Sequence, residues 1–406
     1  MAEDSLASAL ADVFTDEDRP IEATIRTALG LAERALGPDH PRTADLFTRI
    51  ANGLNLAGRY DEAAALFPVA LDMRRRLLGD DHADTATTLD FMASNLLDLY
   101  AFDEAEVLFR EALEIRRRVL GEDHDETSDS YNNLGLCLHN AGRYAEAEPL
   151  LRTALDIGER LTGPDHADTA MTLQNLGQNL EAQDRHAEAE AVHQRALDIR
   201  LRVLGLDHPD VAMSHGHMAS NLEAQKKYDA AEIHYRKALE ITRLAHGEDD
   251  RNMAGPHGNM ARILSLQGRP WEAEEHHRRC VDINRRTRGD DDMHTTIAEE
   301  QLAAFLEALD RFDEAEALYL KVHRTHERVA GPNTPLMAKS FSRIGILRMR
   351  QGRFKEALPA LRECLRLFEK NLGPDDERTR IARSNLEGCQ QLSESDGPIQ
   401  VIEHRH

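Results

Sequence analysis

The sequence is poor in the residues that disulfide-rich and membrane-spanning proteins need. Its 406 residues include one tryptophan and only 5% aromatic residues. The four cysteines are Cys137, Cys280, Cys364 and Cys389. They form no C-x-x-C pair, so no disulfide framework is predicted. No apolar run reaches the roughly 18 residues that a membrane span needs, and the acidic first residues do not resemble a signal peptide. We therefore expect a cytoplasmic protein that does not bind membranes.

Positive charge is also scarce. The chain has 50 Lys and Arg residues against 73 Asp and Glu residues, which gives a net charge of −23. A field of this sign repels phosphate backbones, so nucleic-acid binding is not expected. Two arginine runs, at residues 74–76 and 116–118, fall near the ends of predicted helices. Because cations complement the helix dipole at that end, we interpret both runs as helix-end features rather than phosphate sites.

Against this background, the sequence repeats itself every 42 residues. A glycine recurs at this interval: Gly37, Gly79, Gly121, Gly163, Gly205, Gly247, Gly289, Gly331 and Gly373. An alanine does the same: Ala63, Ala105, Ala147, Ala189, Ala231, Ala273, Ala315 and Ala357. No insertion interrupts the register, which predicts a repeat architecture. We number the units repeat 1 (41–82) to repeat 8 (335–376).

Each repeat is predicted to contain two helices, A and B. In repeat 3, apolar residues at helical spacing lie on both sides of a turn at 141–143, and Gly163 can end helix B. The Asp of the Asp-His pair that follows the glycine is expected to cap the next helix. A small residue in helix A precedes the recurring alanine of helix B by 12 positions, so that the two helices can approach closely. The predicted fold is all-α, a right-handed superhelical solenoid.

The ends of the array are predicted to differ from its middle, because terminal repeats of a solenoid must cover its core. Residues 1–40 resemble a degenerate N-terminal capping repeat. Residues 41–376 form eight repeats, and residues 377–392 a C-terminal capping helix. Residues 393–406 are expected to be a flexible tail.

These motifs resemble the tetratricopeptide repeat. The pattern Leu-Gly-x-Asp-His-Pro, the pattern Gly-Arg-Tyr-x-Glu-Ala-Glu and the run Asn132-Asn133-Leu134-Gly135 are similar to the 42-residue repeats of kinesin light chains and their bacterial relatives. The resemblance covers residues 24–392. It implies a concave groove, lined by helix A, that holds a peptide or protein segment. The chain is thus expected to be a protein–protein adaptor or scaffold without a cofactor.

The resemblance also implies which positions of helix A face the groove. A side-chain amide both donates and accepts hydrogen bonds, so it suits recognition of a peptide backbone. The predicted groove residues are Asn132, Asn133, Gln174, Asn175, Gln178, His217, Ser220, Asn259, Arg262 and Gln301.

Repeats 4 to 7 depart from the apolar core pattern, which leaves an alternative open. Eleven of the 20 histidines fall between His186 and His294. Five polar residues replace large apolar ones at core positions: His193, His215, His257, His277 and Glu299. Histidine with carboxylate can bind a divalent metal, so the alternative is a metal-binding protein or enzyme with a site in repeats 5–7. No H-E-x-x-H motif supports it. Self-association of the scaffold is a third hypothesis.

Overall fold

The structure, a computed structural model, describes residues 21–37 and 40–394. Over these residues it contains 18 α-helices, one short 3₁₀ helix and no strand. A first helix, Ile21–Leu36, precedes the repeats, and a last helix, Glu377–Glu394, follows them. The helix pairs of repeats 1 to 8 are Pro41–Leu56 and Tyr60–Leu78; Ala83–Asp98 and Phe102–Val119; Asp125–Asn140 and Tyr144–Thr162; Ala167–Glu181 and His186–Leu204; Pro209–Ala224 and Tyr228–His246; Ala254–Leu266 and Pro270–Arg288; Met293–Ala308 and Phe312–Ala330; Pro335–Arg350 and Phe354–Leu372.

The predicted all-α repeat fold is therefore confirmed, with consecutive helices packed in pairs. The chain divides into two compact units. The first comprises residues up to Leu206 with Met213–Gln225, and the second comprises Asp207–Ala212 with the residues from Lys226 onward. None of the described helices is long and apolar enough to cross a membrane. The predicted N-terminal capping repeat and tail fall partly on residues 1–20, 38–39 and 395–406, which lie outside the described residues.

Within each pair, the small residue of helix A lets helix B approach closely. A Cβ atom added to Gly135 would lie 2.8 Å from Leu151, and one added to Gly345 would lie 2.6 Å from Leu361. Where alanine replaces glycine in this column, as at Ala51 and Ala93, all its atoms are buried. The small side chains thus have the packing role that their spacing predicted, because close-packed interiors leave no room for an extra methyl group.

The helix caps correct one prediction. The histidine of each early Asp-His pair, rather than the aspartate, caps helix A: Nδ1 of His82 accepts a hydrogen bond from the N–H of Asp84 at 3.1 Å. His40, His124, His166 and His208 make the equivalent contact. In later repeats an aspartate stands at the position of this histidine and caps the helix instead, at Asp250, Asp292 and Asp376. The prediction placed the cap one residue too early, because an imidazole nitrogen can also accept the bond.

The aspartate before the cap has a different role. It pairs with an arginine 37 residues later, at the end of helix B of the next repeat: Asp81–Arg118, Asp123–Arg160, Asp165–Arg202, Asp249–Arg286 and Asp291–Arg328. Each pair is exposed and contributes little by itself. Where both residues are present, the pair joins the end of one repeat to helix B of the next at the same position.

Candidate groove sites

In the first unit, two of the predicted groove residues form the floor of the helix A surface. Asn132 of repeat 3 and Asn175 of repeat 4 are each only 8% exposed. Nδ2 of Asn175 donates a hydrogen bond to Oδ1 of Asn132 at 2.9 Å. A buried amide that lost this partner would be left unsatisfied. The two asparagines therefore connect neighbouring repeats, whereas Asn133 beside them is half-buried.

The other predicted residues of this unit are more accessible on the same surface. Nε2 of Gln178 is 3.4 Å from Nδ1 of His217, and Ser220 is exposed. The His217 ring stacks on the buried ring of His193. Burial, together with a smaller effect of the neighbouring His193, lowers the pKa of His217 to about 4. His217 is therefore a neutral hydrogen-bonding group at pH 7 rather than a cation.

Buried arginines of helix B fill the floor between successive A helices. Arg116 is 4% exposed and contacts Asp90 of its own repeat and the hydroxyl of Ser130 in the next repeat. Burial raises the pKa of Asp90 to about 6, although Arg116 acts in the opposite direction. Arg116 lies in the last turn of its helix, as predicted, and its guanidinium in addition lies within the array.

Repeat 4 has the same arrangement with a different acceptor. Nη1 of Arg200 donates to Oε1 of Gln174 and to Oγ of Ser214, both at 2.7 Å. The side-chain oxygen of Gln174 is thus already engaged in a contact within the array. The three residues stand 84 positions after Asp90, Arg116 and Ser130, that is, two repeats later in the same register. We call such a set, one residue from each of three successive helices, a floor triad.

In the second unit, the predicted residues Asn259, Arg262 and Gln301 line one pocket of about 770 Å³. Both helices of repeat 6 and helix A of repeat 7 form its walls. The floor triad at this point of the register reads Gly258, Asn284 and Ala298, all of which also line the pocket. These three side chains are too short to fill the space that Arg116 or Arg200 fills elsewhere. Sequence reasoning missed the pocket, and the triad columns alone would not have located it, because repeat 5 has short side chains there as well, at Gly216, Thr242 and Pro256.

The structure places the five candidate metal ligands in separate surroundings. His193 lies 3.2 Å from Glu181, and His277 packs against the Phe305 ring with centroids 4.9 Å apart. Glu299 accepts hydrogen bonds from Arg285 and Lys321, at 2.7 and 2.6 Å.

The remaining two candidates are also apart from that carboxylate. Nδ1 of His257 lies 2.8 Å from Nδ1 of His276, and His215 is buried. In the described ranges, no group of three or more His, Cys, Asp or Glu side chains is arranged to hold a metal ion. The local excess of histidine thus reflects several unrelated contacts.

The family is decided by the match of its sequence profile. The tetratricopeptide-repeat profile matches seven stretches, most of which overlap the next: 43–117, 91–157, 127–202, 179–243, 210–286, 294–370 and 336–395. The chain belongs to the tetratricopeptide-repeat family. Members of this family commonly mediate protein–protein interactions. No curated protein matches the sequence.

One solved structure agrees at the level of the fold, and two others are similar over part of the chain. A signal transduction ATPase of the STAND class with a tetratricopeptide-repeat sensor, from Pyrococcus horikoshii, is 14% identical with a TM-score of 0.57, over 94% of this chain and 55% of that one. TPR-like repeats assigned as a kinesin light chain of Podosopora anserina are 19% identical, with a TM-score of 0.47, over 51% and 98%. BtubC (BKLC) from P. vanneervenii is 16% identical, with a TM-score of 0.47, over 65% and 96%.

Proposed function

We propose that this repeat protein is an adaptor whose helix A surfaces hold an extended segment of a partner protein. The observation that carries the proposal is a pair of polar columns on helix A that remain accessible. One column contains Gln178 and Ser220 in the first unit, one repeat apart, and the other contains Asn259 and Gln301 in the second unit, also one repeat apart. A surface that served packing alone would carry apolar residues in these columns.

The spacing of the helices suits a peptide in extended conformation. Packed helices lie about 8–10 Å apart, and an extended chain advances about 3.3 Å per residue. A bound segment therefore meets the next A helix after about three residues. Polar side chains of consecutive repeats can then contact successive backbone groups of the peptide. The peptide side chains between those contacts determine which sequences bind.

The buried amides define which residues to change and which to leave. Replacing Asn175 would remove the partner of Asn132 and so alter packing as well as the surface. Asn133 and Gln178 in the first unit, and Asn259 and Gln301 in the second, are more accessible. We therefore assign peptide contact to these four residues and an inter-repeat role to the Asn132–Asn175 pair.

The test is selection from a displayed library of random dodecapeptides on the full chain. Selected peptides should bind at least about tenfold more weakly to one of two variants, Asn133→Ala with Gln178→Ala or Asn259→Ala with Gln301→Ala. The matched control is Gln194→Ala, an exposed amide on helix B of repeat 4. If the control weakens binding as much as both variants, or if selected peptides bind all of them equally, the helix A surface is not the binding site.

A further inference from the structure

The repeat 6 pocket has a charge opposite to that of the whole chain. Its lining includes the three arginines Arg251, Arg262 and Arg288, and none of the described residues that line it is acidic. The protein as a whole carries a net charge of −23. A water-accessible concavity lined by one sign of charge concentrates ligands of the other sign. The pocket is therefore suited to an anion in a protein that otherwise repels anions.

One of these arginines has a donor that nothing in the described structure satisfies. Nε of Arg288 is buried and has no hydrogen-bond partner. A buried donor of a charged group without an acceptor is unfavourable, and native structures rarely leave one. The guanidinium of Arg262, by contrast, is held in place by the hydroxyl of Tyr235 at 3.0 Å and lies over its ring. The pocket thus combines a positioned cation with an unsatisfied one.

The opposite part of the lining is apolar. Leu266 and Ile297 are 48% and 44% exposed, and Phe305 packs beside His277. All three line the pocket. Its volume of about 770 Å³ falls within the range of small-molecule sites, about 300–1,000 Å³. Exposed apolar groups beside guanidinium groups match a ligand that has an apolar body and a charged end.

The remaining polar groups are neutral at pH 7. Burial lowers the pKa of His277 to about 4 and raises the pKa of Cys280 to about 11. The imidazole is therefore uncharged and the thiol is protonated. Neither is activated for covalent chemistry. The arrangement is suited to reversible binding rather than to catalysis.

We propose that the pocket of repeats 6 and 7 binds a small organic carboxylate with an apolar or aromatic body. The carboxylate pairs with Arg288 and Arg262, because guanidinium groups bind carboxylates through strong, oriented hydrogen bonds. The body packs against Phe305, Leu266 and Ile297. This proposal does not rest on the adaptor function, since it needs no peptide. Because Asn259, Arg262 and Gln301 belong to both sites, the ligand would compete with a peptide in the second unit.

The first experiment compares three probes that share one apolar body. Binding of 4-phenylbutyrate, 4-phenylbutyramide and 4-phenylbutylamine to the full chain is measured by calorimetry and by ligand-observed NMR. We expect the carboxylate to bind at least about tenfold more tightly than the amide, and the amine to bind least. Equal affinities for the acid and the amide would overturn the proposal. Binding of acidic peptides without binding of 4-phenylbutyrate would also reject a small-ligand site.

The second experiment closes the pocket with residues that the chain uses elsewhere. The triple variant Gly258→Gln, Asn284→Arg and Ala298→Ser installs the floor triad of repeat 4. A Cβ atom at position 258 would lie 3.7 Å from Sγ of Cys280, an ordinary contact, so the variant has room to fold. It should lose binding of 4-phenylbutyrate while its thermal unfolding stays cooperative.

A single variant keeps the test informative if the triple variant does not fold. Arg288→Leu should reduce affinity for the carboxylate by about tenfold and leave affinity for the amide unchanged. The control is Arg286→Leu on the same helix, whose exposed guanidinium pairs with Asp249 at 2.9 Å outside the pocket. Equal losses in the two single variants would show that overall charge, rather than the pocket, attracts the ligand, and would reject the proposal.

Discussion

Repeats 2 and 6 occupy equivalent positions in the 42-residue register but differ at the floor triad. In repeat 2, Arg116 reaches Asp90 and Ser130 and fills the space between two A helices. In repeat 6, Gly258 and Asn284 stand at the corresponding positions and leave a pocket of about 770 Å³. The comparison teaches that this solenoid can contain a cavity beside short side chains, without an insertion and without a break in the repeat.

The partner of the helix B core residue differs in the same way. Tyr319 of repeat 7 donates to Glu307 at 3.0 Å, and His193 of repeat 4 contacts Glu181, in both cases a residue 12 positions earlier. In repeat 6 the residue 12 positions before His277 is Ser265, which is exposed and lines the pocket. Repeats 4 and 7 thus join their two helices through a polar contact at this position, whereas the His277 ring of repeat 6 packs against Phe305.

The closed floor is the part that a single substitution should damage most. Arg116→Met should lower the free energy of unfolding by about 3–5 kcal/mol, because it leaves the Asp90 carboxyl buried without its partner. The loss is measured by urea denaturation. The double variant Arg116→Met with Asp90→Leu removes both charges and should recover most of the loss. If the two variants are equally unstable, the ion pair does not account for the effect.

How stability at the floor triad of repeat 2 changes with pH depends on whether burial or Arg116 has the larger effect on the pKa of Asp90. Its pKa is raised from 3.8 to about 6 by burial, so the folded state favours the protonated carboxyl. The resulting stability is fully present below about pH 4 and is lost as the pH rises through 6. Relative to Asp90→Asn, the wild type should lose roughly 3 kcal/mol between pH 4 and 7, as measured by urea denaturation at each pH. A difference that grows with pH would mean that attraction by Arg116 outweighs burial.

A glycine-to-alanine pair compares closed packing with the open pocket. Gly135→Ala should destabilise the protein by about 1–3 kcal/mol, because the new methyl group would lie 2.8 Å from Leu151. Gly258→Ala should instead stabilise it by up to about 1 kcal/mol, because helix propensity improves and the nearest atom is 3.7 Å away. Thermal melts of the two variants measure whether each substitution stabilises or destabilises the protein. Equal destabilisation would show that the pocket wall is as tightly packed as the closed repeats.

The fold followed directly from the sequence, whereas the contacts of individual side chains did not. A period of 42 that holds from Gly37 to Gly373 fixes helix pairs, turns and small-residue contacts, since each repeat needs its neighbours to bury its core. The caps were predicted one residue too early, because Asp and His are adjacent and both can accept a hydrogen bond. Local chemistry of this kind requires backbone geometry to decide between neighbours.

The candidate site was less predictable because its residues come from three helices. Arg200 meets Gln174 and Ser214, which lie 26 and 14 residues away, and no local pattern indicates that contact. The local density of histidines suggested a shared site for His193, His257 and His277. In the structure they contact different neighbours, namely Glu181, His276 and Phe305.

The smallest effect concerns the helix B core position, where the same substitution should have opposite signs in two repeats. Phe67 and Phe109 occupy this position in repeats 1 and 2, and His277 packs on Phe305 in repeat 6. His277→Phe should therefore stabilise the protein by up to about 1 kcal/mol, because a phenyl ring buries without the desolvation cost of an imidazole.

His193→Phe is the matched substitution in repeat 4, and it should destabilise by about 1 kcal/mol. It removes the contact with Glu181 at 3.2 Å. The His193 ring also fits so closely over Gly177 that a Cβ there would lie 2.4 Å from it, which leaves no space for a larger ring. Thermal melts of the two variants, measured side by side, give the two signs. Stabilisation by both substitutions would mean that the His193 contacts are dispensable, and destabilisation by both would mean that His277 has a polar partner in solution that a phenyl ring cannot replace.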